Sequence, residues 1–249
     1  MAIIVKGTVK IARPIVPTDI AGLTLWLDAS DSTTLFQNSD GTTPATADSD
    51  PIGYWGDKSG KGNNVVQSVT LSKSLLKKSI QNGKDIVRFD GVNDFLKSTT
   101  GGGNSNITLF FVNIARGNPG HQMVFSMGEE SNGRRRCLWL EPSSSTIRFN
   151  GYHADVSSSL SWTIGTANIS QFKNDFNAIS LAKNNSAWTT PTAPVIVAYS
   201  ATNITIGRNN GTTEPFNGDV CEVVYYNTVI PDVHRTSILN YLNTKWGVY

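Results

Sequence analysis

The fold is decided by Phe216-Asn-Gly-Asp-Val-Cys-Glu-Val-Val-Tyr-Tyr-Asn227, followed by Pro231-Asp-Val-His-Arg-Thr-Ser-Ile-Leu-Asn-Tyr-Leu-Asn-Thr-Lys-Trp-Gly247. The first part predicts a strand, because side chains alternate between the two faces of a sheet. Strict alternation places Val220, Glu222 and Val224 on one face and the residues between them on the other.

The second part predicts a short helix. Pro231 suits the first helical position, and Asp232 suits the positive end of the helix dipole. An apolar stripe recurs at three- and four-residue steps, at Ile238, Tyr241, Leu242 and Trp246. Gly247 is a natural stop. We therefore expect a strand-rich chain that is closed by one C-terminal helix.

Other apolar runs are separated by turns rich in Gly, Asn, Ser and Thr, which predicts further strands. They are Leu23–Asp28, Ile86–Asp90, Ile107–Ala115, Met123–Met127, Cys137–Leu140, Thr146–Asn150, Ala178–Lys183, Pro194–Tyr199 and Asn203–Gly207. Ile107–Ala115 is almost continuously apolar, which predicts a central strand covered on both faces.

Three more motifs accompany the C-terminal segment: Leu23-Thr-Leu-Trp-Leu-Asp-Ala-Ser-Asp31, Trp55-Gly-Asp-Lys-Ser-Gly-Lys-Gly-Asn-Asn64 and Asn82-Gly-Lys-Asp-Ile-Val-Arg-Phe-Asp-Gly-Val-Asn-Asp-Phe-Leu96. Together they resemble the concanavalin-A-like, laminin-G-like jelly-roll domain of phage virion proteins (decoration or tail-fibre) and bacterial surface proteins. The resemblance covers roughly residues 20–249 and implies an all-β, antiparallel β-sandwich jelly roll. It leaves the function open, because this fold serves lectins, glycosidases, adhesion modules and structural parts.

Residues 1–19 are expected to form an N-terminal extended arm and linker outside this domain. The arm is β-prone, and Pro14 and Pro17 bracket a stiff link. Its apolar side chains need a partner, and they are Ile3, Ile4, Val5, Val9 and Ile11. Two alternatives stay open: an extra edge strand of the same sandwich, or an arm that docks on a neighbouring subunit or another protein.

Charge argues against nucleic acid as a partner. The 249 residues carry 21 basic and 19 acidic side chains, a formal net charge of +2. A nucleic-acid grip needs a concentrated basic surface. The one basic run, Arg134-Arg135-Arg136, favours a solvated strand end over an anion site.

The compartment is expected to be a reducing cytoplasm. Met1-Ala-Ile-Ile-Val5 is followed at once by Lys6, without the pattern of a signal peptide. No apolar stretch approaches the roughly 18–20 residues of a membrane span. Cys137 and Cys221 are predicted to be buried free thiols, because disulfide-built secreted domains usually carry more cysteines.

Catalytic patterns are missing from the sequence. Glucanases of the laminarinase type resembled by this fold carry Glu-x-Asp-x-(x)-Glu on one strand, so that two carboxylates face one cleft. The glutamates here do not show that spacing; they are Glu129, Glu130, Glu141, Glu214 and Glu222. A Gly-x-Ser-x-Gly elbow is also absent. We therefore expect no enzymatic activity and no catalytic residues.

Calcium is a weak expectation at Asp57-Lys-Ser-Gly-Lys-Gly-Asn63-Asn64. Asp57, Asn63 and Asn64 are ligand types for calcium, and laminin-G-like relatives often bind it at a loop rim. The stretch lacks the alternate acidic positions of an EF-hand loop, which favours a tight turn of the fold. We therefore expect no obligatory cofactor.

Tryptophans are the candidate sugar contacts. Trp26, Trp55, Trp139 and Trp246 lie in strands or motifs and are predicted to be core residues. Trp162 and Trp188 lie near turns and are the sugar-stacking candidates, with core or edge packing as the alternative.

The sequence thus predicts a non-enzymatic phage virion structural protein made in the host cytoplasm. The favoured version is a capsid decoration or cement protein. Its arm docks on the major capsid protein or another virion protein, and a trimer is expected by analogy. The alternative is a tail-fibre receptor-binding or carbohydrate-binding module that contacts a cell-surface glycan. An unusual glycan hydrolase is a third hypothesis.

Overall fold

The structure is a computed structural model that describes residues 13–100, 106–117, 120–128, 135–141, 145–150, 156–175, 178–190, 203–209 and 214–249. These residues form two antiparallel β-sheets, packed face to face, and one helix near the C-terminus. The predicted all-β sandwich with a short C-terminal helix is therefore confirmed.

The strands in chain order are β1 (Leu23–Asp28), β2 (Leu35–Phe36), β3 (Pro51–Ile52), β4 (Tyr54–Trp55), β5 (Val65–Val66), β6 (Ser74–Gln81), β7 (Lys84–Asp90), β8 (Leu96–Ser98), β9 (Ile107–Ala115), β10 (Gln122–Gly128), β11 (Arg135–Glu141), β12 (Thr146–Asn150), β13 (Val156–Ser161), β14 (Ala167–Asp175), β15 (Ala178–Lys183), β16 (Ile204–Ile206) and β17 (Asn217–Tyr226). Helix α1 is Asp232–Trp246, and single turns of 3-10 helix lie at Pro17–Asp19, Ser32–Thr34 and Thr70–Ser72.

Within the described residues, sheet I has the order β15-β14-β9-β17-β7-β6-β3, and β1 also pairs with β17. Sheet II has the order β13-β12-β11-β10-β16-β8-β5-β4-β2. Apolar side chains of both inner faces interlock between the sheets, among them Trp55, Phe89, Phe111, Phe125 and Tyr225. Because the inner faces of both sheets form this inter-sheet core, a binding site on a strand has to use its outer face.

Helix α1 covers the outer face of sheet I. Its residues Ile238, Leu239, Leu242 and Trp246 are buried in a second apolar cluster, together with Phe110 of β9. The predicted stripe is thus confirmed, with Leu239 added to it. Strand β9 is buried on both faces, as its apolar run predicted. Helix α1 is capped at its C-terminus by Gly247, which adopts the left-handed conformation (φ 61°) that glycine favours.

Strand β17 departs from the strict alternation that the sequence predicted. Val220 and Val223 both point into the inter-sheet core, whereas Cys221 and Val224 face α1. The cause is a register shift in the pairing with β9 between Val220 and Glu222. Such a bulge re-aims the side chains that follow it. Here it turns Glu222 towards the helix.

The predictions of strand bounds and of buried cysteines can be compared with the structure. The strands predicted at Leu23–Asp28, Ile107–Ala115 and Ala178–Lys183 have those bounds in the structure. The strand predicted at Pro194–Tyr199 lies outside the described residues. Both cysteines are buried free thiols, as predicted. No helix in the described part of the chain has the length and apolarity needed to cross a bilayer.

Candidate functional site

The outer face of sheet II carries a polar and aromatic group on β11 and its neighbours. Leu138 and Leu140 of β11 point into the inter-sheet core, so Trp139 and Glu141 point away from it. Trp139 pairs directly with Arg148 of β12. Because Gln122 of β10 pairs with Leu140, the residue before it, His121, reaches Glu141. We call His121, Trp139, Glu141 and Arg148 the Trp139 cluster.

The geometry of the Trp139 cluster centres on Glu141. His121 Nε2 lies 3.3 Å from Glu141 Oε1, and Arg148 Nη1 lies 3.3 Å from Glu141 Oε2. The His121 ring packs edge-on against Trp139, with 4.4 Å between ring centroids. The side chains of His121 and Arg148 are 47% and 30% exposed, whereas that of Glu141 is 6% exposed. The cluster therefore joins a buried carboxylate to two side chains at the surface.

Two buried N–H groups of the Trp139 cluster lack an acceptor within the described residues. They are Trp139 Nε1 and Arg148 Nε. Buried polar groups in folded proteins are nearly always hydrogen-bonded, and each exception needs an explanation. An aromatic ring, a carboxylate acceptor and two N–H donors are together the groups that contact the apolar face and the hydroxyls of a sugar.

Sequence reasoning missed this site. Trp139 was expected in the core, and it is indeed buried, 7% exposed, but on the outer face beside Met123 and Cys137. The alternation of Trp139 and Glu141 with two leucines was visible in the sequence. What the sequence could not show is that His121, just before β10, and Arg148, on β12, both lie against Glu141.

Trp162 is wrong as a sugar-stacking candidate. It is 4% exposed and belongs to the inter-sheet core, where Leu160 packs against the same cluster. Trp162 follows β13 directly and lies on the same side of the sheet as Leu160, two residues earlier. The alternative of core packing is the one that the structure supports.

Trp188, the other sugar-stacking candidate, is half-buried at the N-terminus of α1. Two cations already contact its ring: Lys173 Nζ lies 4.8 Å and the Arg235 guanidinium 4.4 Å from its centre. Its Nε1 donates to Asp232 Oδ1 at 3.3 Å. A sugar that stacks on Trp188 would compete with these cations. The Trp139 cluster is the stronger candidate, because it adds a carboxylate and two N–H donors without an acceptor in the described residues.

The weak calcium candidates are used by the fold itself. Asp57 Oδ1 accepts from the backbone N–H of Trp26 at 2.9 Å, and its Oδ2 accepts from that of Asn63 at 2.9 Å. Asn64 Oδ1 accepts from the backbone N–H of Asp57 at 2.8 Å. These bonds are those of the tight turn that the sequence favoured. Among the described residues, no group of three or more His, Cys, Asp or Glu side chains could hold a metal ion.

The conspicuous acid on the other side of the sandwich is Glu222, which lies under α1 and is 0% exposed. Its oxygens accept from Trp26 Nε1 at 2.7 Å, Tyr241 Oη at 2.8 Å and Trp246 Nε1 at 2.6 Å, and Lys245 Nζ lies 2.8 Å away. Burial raises the pKa of Glu222, against the lowering effect of Lys245. This network, which we call the Glu222 hub, joins strand β17 to the helix.

Asp28 extends the Glu222 hub to the neighbouring strand. It pairs directly with Glu222 across β1 and β17. Lys245 Nζ lies 2.5 Å and Lys58 Nζ 2.8 Å from its oxygens. Burial would raise the pKa of Asp28, but these two lysines hold it below its usual value. The hub is enclosed and paired, which suits a role in holding the fold.

The docking-arm residues cannot be placed. Ile3, Ile4, Val5, Val9 and Ile11 lie outside the described residues, so the structure decides neither alternative for the arm. The described chain starts at Arg13, whose guanidinium contacts Asp19. Tyr226 Oη donates to the Pro17 carbonyl at 3.0 Å and ties the linker to sheet I.

Comparison with known proteins gives the fold. No protein-family model and no curated protein matches the chain. A Trypanosoma rangeli sialidase is 15% identical with a TM-score of 0.61, over 95% of this chain and 36% of that one. A GH54 α-L-arabinofuranosidase soaked with a cyclic sulfate inhibitor is 15% identical with a TM-score of 0.68, over 93% of this chain and 66% of that one. An arabinofuranosidase complexed with arabinofuranosyl-α-1,2-xylobiose is 14% identical with a TM-score of 0.66, over 93% and 65%.

The chain thus spans 36% of the sialidase and just under two thirds of the arabinofuranosidases. At these identities the likeness shows the fold alone. It supports the sandwich, and it links the chain neither to laminin-G domains nor to phage proteins. That finer resemblance stays a prediction.

The prediction that the chain is not an enzyme is contradicted by these comparisons. The solved structures named above, which share its sandwich, are a sialidase and arabinofuranosidases, that is, glycoside hydrolases. The prediction rested on the missing Glu-x-Asp-x-(x)-Glu spacing on one strand. That spacing belongs to one arrangement of carboxylates, and acids from different strands can also meet, so its absence does not exclude hydrolysis.

Proposed function

We propose that this chain is a carbohydrate-binding β-sandwich and that the Trp139 cluster is its sugar contact. The observation that carries the proposal is the joining of Trp139, buried Glu141 and half-exposed Arg148 on the outer face of sheet II. The fold, shared with carbohydrate-active enzymes, supports it but does not decide it.

The expected binding mode follows from the chemistry of the side chains. The Trp139 ring is 7% exposed, and once His121 is displaced it offers an apolar face to the C–H groups of a pyranose. Glu141 accepts from sugar hydroxyls, and Arg148 and the indole N–H donate to sugar oxygens. His121 lies against one side of Trp139 and is 47% exposed, so its ring is the group that an arriving sugar displaces.

The test is a panel of immobilised polysaccharides, followed by titration calorimetry with the oligosaccharide that binds. His121→Ala and Arg148→Gln keep the buried ring in place and are expected to change affinity without unfolding the sandwich. Trp139→Ala should abolish binding, with circular dichroism to confirm folding. Trp188→Ala is the matched control on the other side of the molecule. Binding that survives Trp139→Ala and Arg148→Gln but is lost in Trp188→Ala would refute this assignment.

The same samples should be examined for released sugar, because hydrolases share the fold. Glu141→Gln is the diagnostic variant, since it keeps the shape of the side chain and removes its charge. Turnover that disappears in Glu141→Gln would extend the proposal from binding to hydrolysis. Turnover unchanged in that variant would place the chemistry elsewhere.

A second proposal concerns where the sandwich is displayed. We propose attachment to a virion through residues 1–12, with a capsid or other virion protein as partner and a homo-oligomer, by analogy a trimer, as the assembled form. The supporting observation is the linker at residues 13–19, which Tyr226 of sheet I holds through the Pro17 carbonyl. A chain lacking residues 1–12 should stay folded and lose attachment to the particle. Equal attachment of both chains would contradict this role.

A further inference from the structure

The hydrogen-bonding groups of the Trp139 cluster indicate which class of sugar it binds. Its two unsatisfied groups, Trp139 Nε1 and Arg148 Nε, are both N–H donors. They sit on directly paired residues of β11 and β12, whose side chains start about 5 Å apart. A ligand that completes this site must therefore supply acceptor oxygens.

Unsatisfied indole N–H groups elsewhere in the described chain differ in their surroundings. Trp55 and Trp162 also lack an acceptor for Nε1. Both lie in the inter-sheet core, among apolar side chains. Trp139 is distinct, because it lies beside an arginine and a histidine that reach the surface.

The guanidinium of Arg148 has N–H donors on an edge that does not face Glu141. Its Nη1 faces Glu141, whereas Nε has no acceptor within the described residues. An arginine presents five donors in a fixed fork and can hold carboxylates on two edges. The other carboxylate oxygen of Glu141, Oε1, lies next to His121 Nε2. The guanidinium would thus separate a ligand carboxylate from Glu141.

We infer that the Trp139 cluster selects acidic glycans, binding the carboxylate of a uronic-acid type sugar through Arg148 Nε and Trp139 Nε1. The inference rests on the proposed function and names its ligand class. A carboxylate suits the site better than a hydroxyl, because it accepts without donating and forms charge-assisted bonds with arginine. His121 moves aside to admit it, and the ring of Trp139 supports the sugar.

The experiment compares acidic polysaccharides (polygalacturonate, alginate and hyaluronan) with their carboxyl-reduced counterparts, which keep linkage and length but carry no charge. Titration of the full chain should show binding of at least one acidic member. Its reduced counterpart should bind roughly tenfold to hundredfold more weakly, as expected for the loss of a charge-assisted bond. The difference should shrink at high salt, because exposed ionic contacts are screened.

Three variants separate the contributions. Arg148→Gln removes the charge and should abolish the preference for the acidic member. Arg148→Lys keeps the charge without the planar guanidinium and should retain only part of the preference for the acidic member. Trp139→Phe keeps a ring and removes the N–H. Arg13→Gln is the matched control, because Arg13 pairs with Asp19 on the other side of sheet I.

The outcomes distinguish the two claims. Acidic binding that depends on Arg148 supports both. Equal binding of charged and reduced polysaccharides, unchanged in Arg148→Gln, overturns this inference and leaves a neutral sugar site. Absence of binding to every polysaccharide overturns the proposed function, and the inference with it.

Discussion

Replacing Glu222 by alanine removes the acceptor of the Glu222 hub. In the folded chain this leaves the indole N–H groups of Trp26 and Trp246, the Tyr241 hydroxyl and part of the Lys245 ammonium without their partner. The two indole bonds are buried together with Glu222, which is 0% exposed beneath α1, so water cannot readily replace the carboxylate there. The substitution should therefore act on the free energy of unfolding rather than on any ligand.

The magnitude follows from burial. Removing one partner of a buried charge pair costs about 3–5 kcal/mol, and an orphaned buried donor costs about 1–3 kcal/mol. Relaxation of the helix end recovers part of this sum, so we expect a loss of about 5 kcal/mol. The free energy of unfolding of a whole domain is only about 5–15 kcal/mol. Glu222→Ala should thus be marginally folded, whereas Glu222→Gln, which keeps an acceptor oxygen, should lose about half as much.

Urea unfolding followed by tryptophan fluorescence and circular dichroism measures both losses. Glu214→Gln is the matched control: Glu214 Oε2 accepts from Asn209 Nδ2 at 2.9 Å, a bond that glutamine can keep, and it should change stability by less than about 0.5 kcal/mol. A loss below about 1 kcal/mol in Glu222→Ala would refute the view that this hub holds the helix to the sheet.

Three further predictions concern stability and thiol access. Burial and, to a lesser extent, the nearby carboxylate of Asp90 raise the pKa of Asp94 from 3.8 to about 7. The stability that this group contributes is therefore complete below about pH 4 and is lost as the pH rises towards 7. Asp94→Asn should flatten this pH dependence in urea unfolding, and an unchanged profile would contradict the assignment. Gly207 has φ 92°, and a Cβ there would clash with the Phe89 ring, whereas Gly60 has φ 80° and open space around it. Gly207→Ala should therefore lower the melting temperature much more than Gly60→Ala. Equal falls in melting temperature would show that the contact between Gly207 and Phe89 does not limit stability. Burial raises the pKa of the Cys221 thiol, so a thiol reagent should label it only after unfolding, and rapid labelling of the native chain would count against its burial.

The fold was predictable where one-dimensional patterns are strong. Strand β9 has an apolar run covered on both faces, and its predicted and observed bounds agree. Strands β6 and β14 were missed, because Ser-Leu-Leu-Lys-Lys-Ser-Ile-Gln and Ala-Asn-Ile-Ser-Gln-Phe-Lys-Asn-Asp alternate weakly. The bulge in β17 was equally hidden, because it comes from pairing with β9. Its consequence, Glu222 under the helix, required the tertiary structure.

The candidate site was harder to foresee, since its residues come from different strands. The sequence favours Trp162 and Trp188 because they lie near turns, where exposure is common. Proximity to a turn is a poor guide to exposure here: one ring is in the core, and two cations contact the other. The domain boundary at residue 20, the docking arm and the virion partner remain predictions from sequence.

The two outer faces of the sandwich differ in how their polar groups are satisfied, and this difference indicates where ligand chemistry belongs. On the face under α1, the buried acids Asp28 and Glu222 are matched by lysines and N–H or O–H donors. On the outer face of sheet II, Trp139 and Arg148 keep N–H donors without an acceptor in the described part of the chain. Unpaired donors next to surface side chains lower stability, and a ligand that supplies acceptors would relieve that cost. The satisfied face therefore serves the fold, and the unsatisfied one is where we expect binding.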